Sequence, residues 1–161
     1  MNEKFIIGST ALKHWYSDYP NEPKDIDYVV NIASMWSKEE GVEYLENDIL
    51  YVNQHKYVKD GYLTVNALYT LKASHLICRD VNWDKHMWQF QWMKKKGCKL
   101  DVDLFYQLYE YWKDLYGNKR SDLDMSAEEF FDNTLSNDYS HDWLHTLIQN
   151  PPTYTLSLIH I

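Results

Sequence analysis

Two aspartates, Asp25 and Asp27, flank Ile26 and open an apolar stretch that continues through Tyr28, Val29 and Val30. In a strand, residues two apart face the same way, so this spacing sets two carboxylates side by side. Adjacent carboxylates repel and raise one another's pKa, and a divalent cation relieves the repulsion. Mg2+ suits such a pair because it takes oxygen ligands and keeps waters and substrate phosphates in its shell. Upstream, Gly8-Ser9 stands between the apolar run Phe5-Ile6-Ile7 and a helical stretch. Strand, Gly-Ser, helix is a phosphate-binding arrangement. Glycine admits close backbone approach, and the helix N-terminus offers free N–H groups and the positive end of its dipole. Ser9 adds a hydroxyl donor. An Asp-x-Asp pair alone is more often a surface feature, and Gly-Ser is a common dipeptide. Their succession, with a helix and a loop between them, is what points to phosphate and metal.

Several elements must position these residues. Residues 4–7 read as a strand stopped by Gly8. The spacing predicts a helix over 10–16, capped by Ser9 or Thr10. Two prolines make 17–24 a loop, and 26–30 is a second strand with Asp27 inside it. A short helix is expected over 33–40, ending near Gly41. Strands are expected over 42–45 and 49–52, joined by a turn at Glu46-Asn47-Asp48, followed by a polar loop over 54–61. From Asn66 the period becomes helical, with Leu68, Leu71, Leu76 and Ile77 on one face. Further helices are expected over 83–95, ended by Gly97, over 102–115 with Leu104, Leu108 and Trp112 on one face, over 127–133 behind a Ser126–Glu129 capping box, and over 142–149, before Pro151.

The order Ile7-Gly8-Ser9, helix, Asp25-Ile26-Asp27-Tyr28 resembles the signature of the nucleotidyltransferase superfamily, with a loop enlarged by Tyr19-Pro20-Asn21-Glu22-Pro23. More narrowly, the chain resembles the nucleotidyltransferase-like proteins of tailed bacteriophages. That likeness rests on Leu68-Tyr69-Thr70-Leu71-Lys72-Ala73-Ser74-His75-Leu76, Trp83-Asp84-Lys85-His86-Met87 and His141-Asp142-Trp143-Leu144-His145, and spans residues 5 to about 155. The resemblance implies an α+β fold: a small mixed β-sheet front half packed with helices, followed by an all-helical C-terminal half. It implies one domain over 1–155, with an α/β catalytic core at 1–62 and a helical part at 63–155. It also implies a mechanism, in which metal ions held by three carboxylates grip a nucleoside triphosphate and activate an acceptor hydroxyl. The catalytic and metal-holding roles fall to Asp25, Asp27 and a third acid from a neighbouring strand. Glu43, between Val42 and Tyr44, is the first choice, with Glu46 and Asp48 as alternatives. Gly8, Ser9, Lys72 and His75 are the expected substrate-binding residues, Mg2+ the cofactor and a nucleoside triphosphate the partner.

In the helical half, Lys72 and His75 are three apart and share a face. Their bland reading is a snorkelling lysine beside a buried histidine. Asp84, Lys85 and His86 open the Trp-rich helix; Asp84 can cap it by its dipole preference and His86 can reach a pocket, and the structural reading is preferred for both. His141 and His145, four apart with Asp142 between, have a usable metal-ligand spacing. They raise a second reading, a metal-dependent phosphohydrolase centred on His141, Asp142 and His145. A third is a non-catalytic phage interaction protein on the same fold.

Composition narrows the classes. A net charge of -8 argues against a broad surface for duplex nucleic acid. The run Lys94-Lys95-Lys96 with Lys99 reads as a solvated helix end. Aromatics reach 16%, most of them expected in the core and its rim. Cys78 and Cys98 form no CxxC, so neither a disulfide framework nor a zinc site is expected. With no apolar run of membrane-span length and no signal peptide, the expected compartment is the cytoplasm, a host's if the chain is phage-encoded. The last six residues, 156–161, resemble the translation of an adapter used in DNA library preparation. On that reading His160 carries no chemistry.

Overall fold

The apolar residues after Glu3 alternate as a strand requires and form β1 (Lys4–Ile7), in which Phe5 and Ile7 are buried. A computed structural model describes residues 2–76 and 83–116. The chain divides into two units, Met1–Leu68 and Tyr69–Ile161. In the first, β1 lies at the centre of a five-stranded mixed sheet of order β3-β2-β1-β5-β4. It pairs antiparallel with β2 (Ile26–Val30), which pairs in parallel with β3 (Val42–Glu46). On its other side it pairs in parallel with β5 (Tyr62–Leu63), itself antiparallel to β4 (Val58–Lys59). Helix α1 (Gly8–Trp15) leaves β1 directly and packs on β1, β2 and β5. Its Trp15 indole N–H donates to the Leu63 carbonyl at 2.8 Å.

Strands β1 and β2 carry the bounds that the sequence pattern predicts, whereas four neighbouring stretches differ. Helix α1 begins at Gly8, two residues before the expected start, and no side chain caps it. The chain turns at Gly8 itself, with φ at +68°, so Ser9 already lies in the first turn. The helix expected over 33–40 shrinks to a single 3-10 turn, Ala33–Met35. Beyond it Trp36 is extended and stacks on Tyr44 of β3 at 5.3 Å; that ring contact and the bridge from Glu39 to Val42 hold the chain out of a helix. The strand expected over 49–52 is instead helix α2 (Asp48–Val52). The Asn47 carboxamide accepts the Leu50 N–H at 3.0 Å and caps it, so a local bond overrides β-branched propensity. The polar stretch after Asn53 forms α3 (Gln54–Tyr57) and the β4–β5 hairpin. Asp60 and Gly61 turn that hairpin with φ of 55° and 83°, the left-handed pair that a two-residue hairpin demands.

The described part of the second unit is helical. It takes the greater part of α4 (Val65–His75) and the whole of α5 (Trp83–Lys95) and α6 (Val102–Tyr116). Tyr69 of α4 stacks on Phe90 of α5 at 4.5 Å. Leu104, Phe105 and Leu108 of α6 are fully buried. Helix α5 ends where glycine predicts. Gly97, at φ +89°, donates to the Lys94 carbonyl at 2.9 Å, and Cys98 donates to Met93 at 3.2 Å. These two bonds satisfy carbonyls that a helix end leaves open. The expected helices over 127–133 and 142–149, Cys78, the His141-Asp142-x-x-His145 motif and the terminal hexapeptide lie outside the described residues.

Candidate functional site

In the first unit, the chemistry-bearing residues are placed by strand register. Ile7 pairs with Asp27 across β1 and β2, and Asp27 pairs with Glu43 across β2 and β3. In-register residues on neighbouring strands share a face, about 5 Å apart, so Asp27 and Glu43 stand side by side next to the end of β1. Alternation sends Glu46 to the opposite face with Tyr44, and Asp48 lies in the first turn of α2. Of the three acids considered for the third carboxylate, Glu43 is the one that register sets beside Asp27.

Gly8 completes this corner. A Cβ added there would lie 2.8 Å from the Asp27 carboxylate oxygen Oδ2, closer than real side-chain carbons approach. The Asp27 carboxylate therefore rests against glycine backbone at the very start of α1. The first turn of α1 holds no acidic residue of its own, and its leading N–H groups have no partner within the helix. Ser9 and Thr10 occupy that turn. Any anion arriving there shares the corner with Asp27, which places two negative groups in contact unless a cation lies between them.

Asp25 falls one residue before β2, so strand alternation does not govern its direction. Its side chain is exposed, and its backbone carbonyl accepts the Thr10 hydroxyl at 3.3 Å. This bond ties α1 to the loop that returns the chain to β2. A second tie is Lys13, whose ammonium donates to the Tyr19 carbonyl at 2.8 Å and lies 3.6 Å from Glu22. Tyr19 itself is buried. Among the described residues, no three His, Cys, Asp or Glu side chains are gathered as a metal-holding group. The arrangement available to a cation is the Asp27–Glu43 pair, with Asp25 nearby in sequence. Mg2+ bound through one or two carboxylates plus phosphates and water is compatible with such a pair.

A groove of about 760 Å3 runs along the outer strand β3, and Glu43 lines it together with Trp36, Lys38, Glu39 and Tyr44. On the face of the sheet that carries Tyr44, Tyr28 and Tyr44 stack at 5.7 Å, and the Lys4 ammonium lies 4.3 Å from the centre of the Tyr28 ring. It also lies 4.9 Å from the Trp36 ring. Sequence reasoning missed this aromatic group. Its signal was the alternation of Tyr28 with Asp27 and of Tyr44 with Glu43, which puts rings on one face wherever acids take the other.

The second unit gathers a different set. Lys72 and His75 of α4 do share a helical face, and α5 brings His86 to them. The Lys72 ammonium lies 3.0 Å from His86 Nδ1. The His75 ring is 5.0 Å from that of His86 and 5.3 Å from that of Trp112. The Trp112 indole N–H donates to the Ser74 hydroxyl at 3.0 Å. Burial holds the His86 pKa far below its ordinary 6.5, and the charges of Lys72, His75 and Lys85 depress it further. The imidazole is thus neutral at neutral pH, with its Nδ1 within hydrogen-bond distance of the Lys72 side chain. Sequence reading singled out Lys72 and His75 but treated His86 as structural. The i, i+3 pair on α4 was legible; its meeting with a residue fourteen positions on is a tertiary event.

No helix among the described residues is long and apolar enough to cross a membrane. Residues 67–158 match the profile of a protein family described as Domain of unknown function (DUF7275). No curated protein and no solved structure matches the chain. The matched span begins two residues before the second unit and holds Lys72, His75 and His86, while the Gly8–Asp27–Glu43 corner precedes it. The chain belongs to this family.

Proposed function

For this member of the family, we propose that the first unit binds a nucleoside triphosphate with Mg2+ and transfers a nucleotidyl group to an acceptor hydroxyl, in a compartment that holds nucleotides, the cytoplasm. The observation that carries the reading is the corner in which the Asp27 carboxylate lies against Gly8 at the start of α1, with Glu43 in register beside it. This is the succession of strand, Gly-Ser, helix and acidic strand that resembles the nucleotidyltransferase superfamily. In this reading the first-turn N–H groups and the Ser9 hydroxyl bind phosphate oxygens. Asp27 and Glu43, with Asp25 as the third acid, hold the cation. When bound, Mg2+ supplies charge neutralisation between the carboxylates and the triphosphate and polarises the reacting phosphoryl group. Bare backbone at Gly8 keeps the space that a side chain would take from both the carboxylate and the phosphate. The groove along β3 gives an acceptor a route to Glu43.

Calorimetry with each of the four ribonucleoside triphosphates, with and without Mg2+, tests this. Asp27→Asn combined with Glu43→Gln removes both charges while keeping size. The expected outcome is Mg2+-dependent binding by the native chain and its loss in the double variant. Equal binding by the two proteins would overturn the reading.

A further inference from the structure

We infer that the outer edge of β3 is a docking site for an extended, basic segment of another protein, which joins the sheet as a further strand. Among the described residues, no strand lies beyond β3 in the sheet order. The parallel ladder with β2 decides which backbone groups this edge offers. Ile26 donates to the Gly41 carbonyl at 2.9 Å. Gly41, Glu43 and Leu45 therefore turn their backbone groups towards β2, and Val42, Tyr44 and Glu46 turn theirs away. Val42 donates to the Glu39 carbonyl at 3.3 Å, which closes the start of the edge. Tyr44 and Glu46 carry the pattern onward, and an edge of this kind is a template for another strand. The groove of about 760 Å3 follows it, lined by residues of the 33–39 segment and of β3.

Charge and exposed apolar area specify the occupant. The ten residues from Glu39 to Asp48 hold five carboxylates and no lysine or arginine, and all five acids are exposed. Lys38 also lines the groove, next to Glu39. Leu45 is 40% exposed and Met35 78%, apolar area that a partner can cover. An added strand alternates as β3 does. It is complementary when basic residues stand beside Glu43 and Glu46 and apolar ones beside Tyr44 and Leu45. In either chain direction the pattern is basic, apolar, apolar, basic. Opposite charges facing across neighbouring strands are favourable, and like charges are not. A second copy of this chain would set acid against acid, Glu43 opposite Glu46 when two β3 strands pair antiparallel about the Tyr44–Leu45 midpoint. A net charge of -8 on each chain also opposes their approach. Main-chain hydrogen bonds supply the attachment, and the alternate side chains supply the selection. Docking stands whether or not nucleotidyl transfer occurs, because it needs neither Asp27 nor a bound cation.

The probe is a capped eight-residue peptide that repeats lysine, valine, valine, lysine, titrated into the full chain without nucleotide or Mg2+. Fluorescence anisotropy of the labelled peptide should show saturable binding. Affinity should fall about tenfold or more when glutamate replaces every lysine of the peptide, and likewise in Leu45→Lys, which puts a like charge on the edge. Methylating the backbone nitrogens of alternate peptide residues separates strand addition from charge attraction. In one phase it blocks the amides that face β3, and affinity falls about tenfold or more; in the other phase it leaves them intact. In the chain itself, amide exchange should slow at Tyr44 and stay unchanged at Glu43 and Leu45, whose N–H groups already face β2. Absence of saturable binding would overturn the inference, as would equal affinity for the two methylated peptides, equal affinity for the glutamate peptide, or unchanged exchange at Tyr44. So would sedimentation of the chain alone as a dimer that Leu45→Lys breaks, which would give the edge to a second copy.

Discussion

The two units hold their chemical side chains in opposite ways. In the first, position comes from the backbone: register sets Glu43 beside Asp27, and a glycine with positive φ lets the Asp27 carboxylate lie against the start of α1. In the second, position comes from side chains meeting one another across helices: Lys72 on His86, His75 beside both His86 and Trp112, Trp112 on Ser74. Backbone placement is rigid and tolerates exposed acids. Side-chain placement needs burial, and burial changes the chemistry of what it holds, as in the lowered pKa of His86.

The sharpest way to test backbone placement is at Gly8. Gly61 has a similar positive φ, but a Cβ there meets nothing within 4 Å, so Gly61→Ala carries the conformational strain alone, about 1–2 kcal/mol. Gly8→Ala carries the same strain and also drives a methyl group into the Asp27 carboxylate. The expected loss is about 3 kcal/mol, read as a lower urea midpoint with an unchanged slope. If the two alanine variants lose equal stability, the contact with Asp27 is soft and backbone placement is not what fixes the carboxylate.

The counterpart in the second unit is a pH effect. His86 is held neutral in the folded chain and regains its ordinary pKa of 6.5 when unfolded. Below that pH the unfolded chain binds a proton that the folded chain refuses, so stability falls as pH falls. Above it both states are neutral and the contribution is flat. One proton corresponds to about 1.4 kcal/mol per pH unit, so at pH 5 the native chain should be about 2 kcal/mol less stable than at pH 7 on this account. His86→Gln should remove that part of the slope. A slope identical in the variant would mean that burial does not hold His86 neutral, and the contrast between the units would lose its electrostatic half.

The same contrast explains what the sequence made legible. Strands β1 and β2 and helix α5 were readable to the residue because their ends are written locally, by Gly8, by the prolines of the loop and by Gly97. Asp27 and Glu43 were readable as candidates because strand alternation follows from spacing, whereas the register that sets them side by side, and Glu46 on the other face, is visible only in the assembled sheet. What failed was local structure decided by a single side-chain bond or ring contact. The run Ile49-Leu50-Tyr51-Val52 has strand-like residues, yet the carboxamide of Asn47 makes it a helix. Trp36 leaves the expected helix to stack on Tyr44. The hairpin at Asp60-Gly61 was signalled by that dipeptide and passed over, because its strands are only two residues long. His86 was invisible as a partner of Lys72 because no spacing within one element reports where a second helix comes to rest.

Helix caps provide the smallest and most direct comparison, because both units use the same device. Asn47 before α2 accepts the Leu50 N–H at 3.0 Å, and Asp101 before α6 accepts the Leu104 N–H at 2.9 Å. Each is the third residue beyond the cap, so the geometry is equivalent and only the charge differs. The loss of such a cap costs about 1 kcal/mol. In α2 the cap opposes the strand preference of the residues it holds, and the helix is only five residues long. In α6 fifteen residues with an apolar face already favour the helix, and the charge of Asp101 adds a favourable interaction with the helix dipole. Asn47→Ala is therefore expected to lower stability by about 1 kcal/mol and to loosen the α2 segment, seen as faster amide exchange at Leu50 and Tyr51. Asp101→Ala should cost a similar amount while leaving amide exchange in the middle of α6 unchanged. If Asn47→Ala leaves exchange in α2 unchanged, burial of Leu50 and not the cap holds that helix, and the first unit depends on packing as much as the second does.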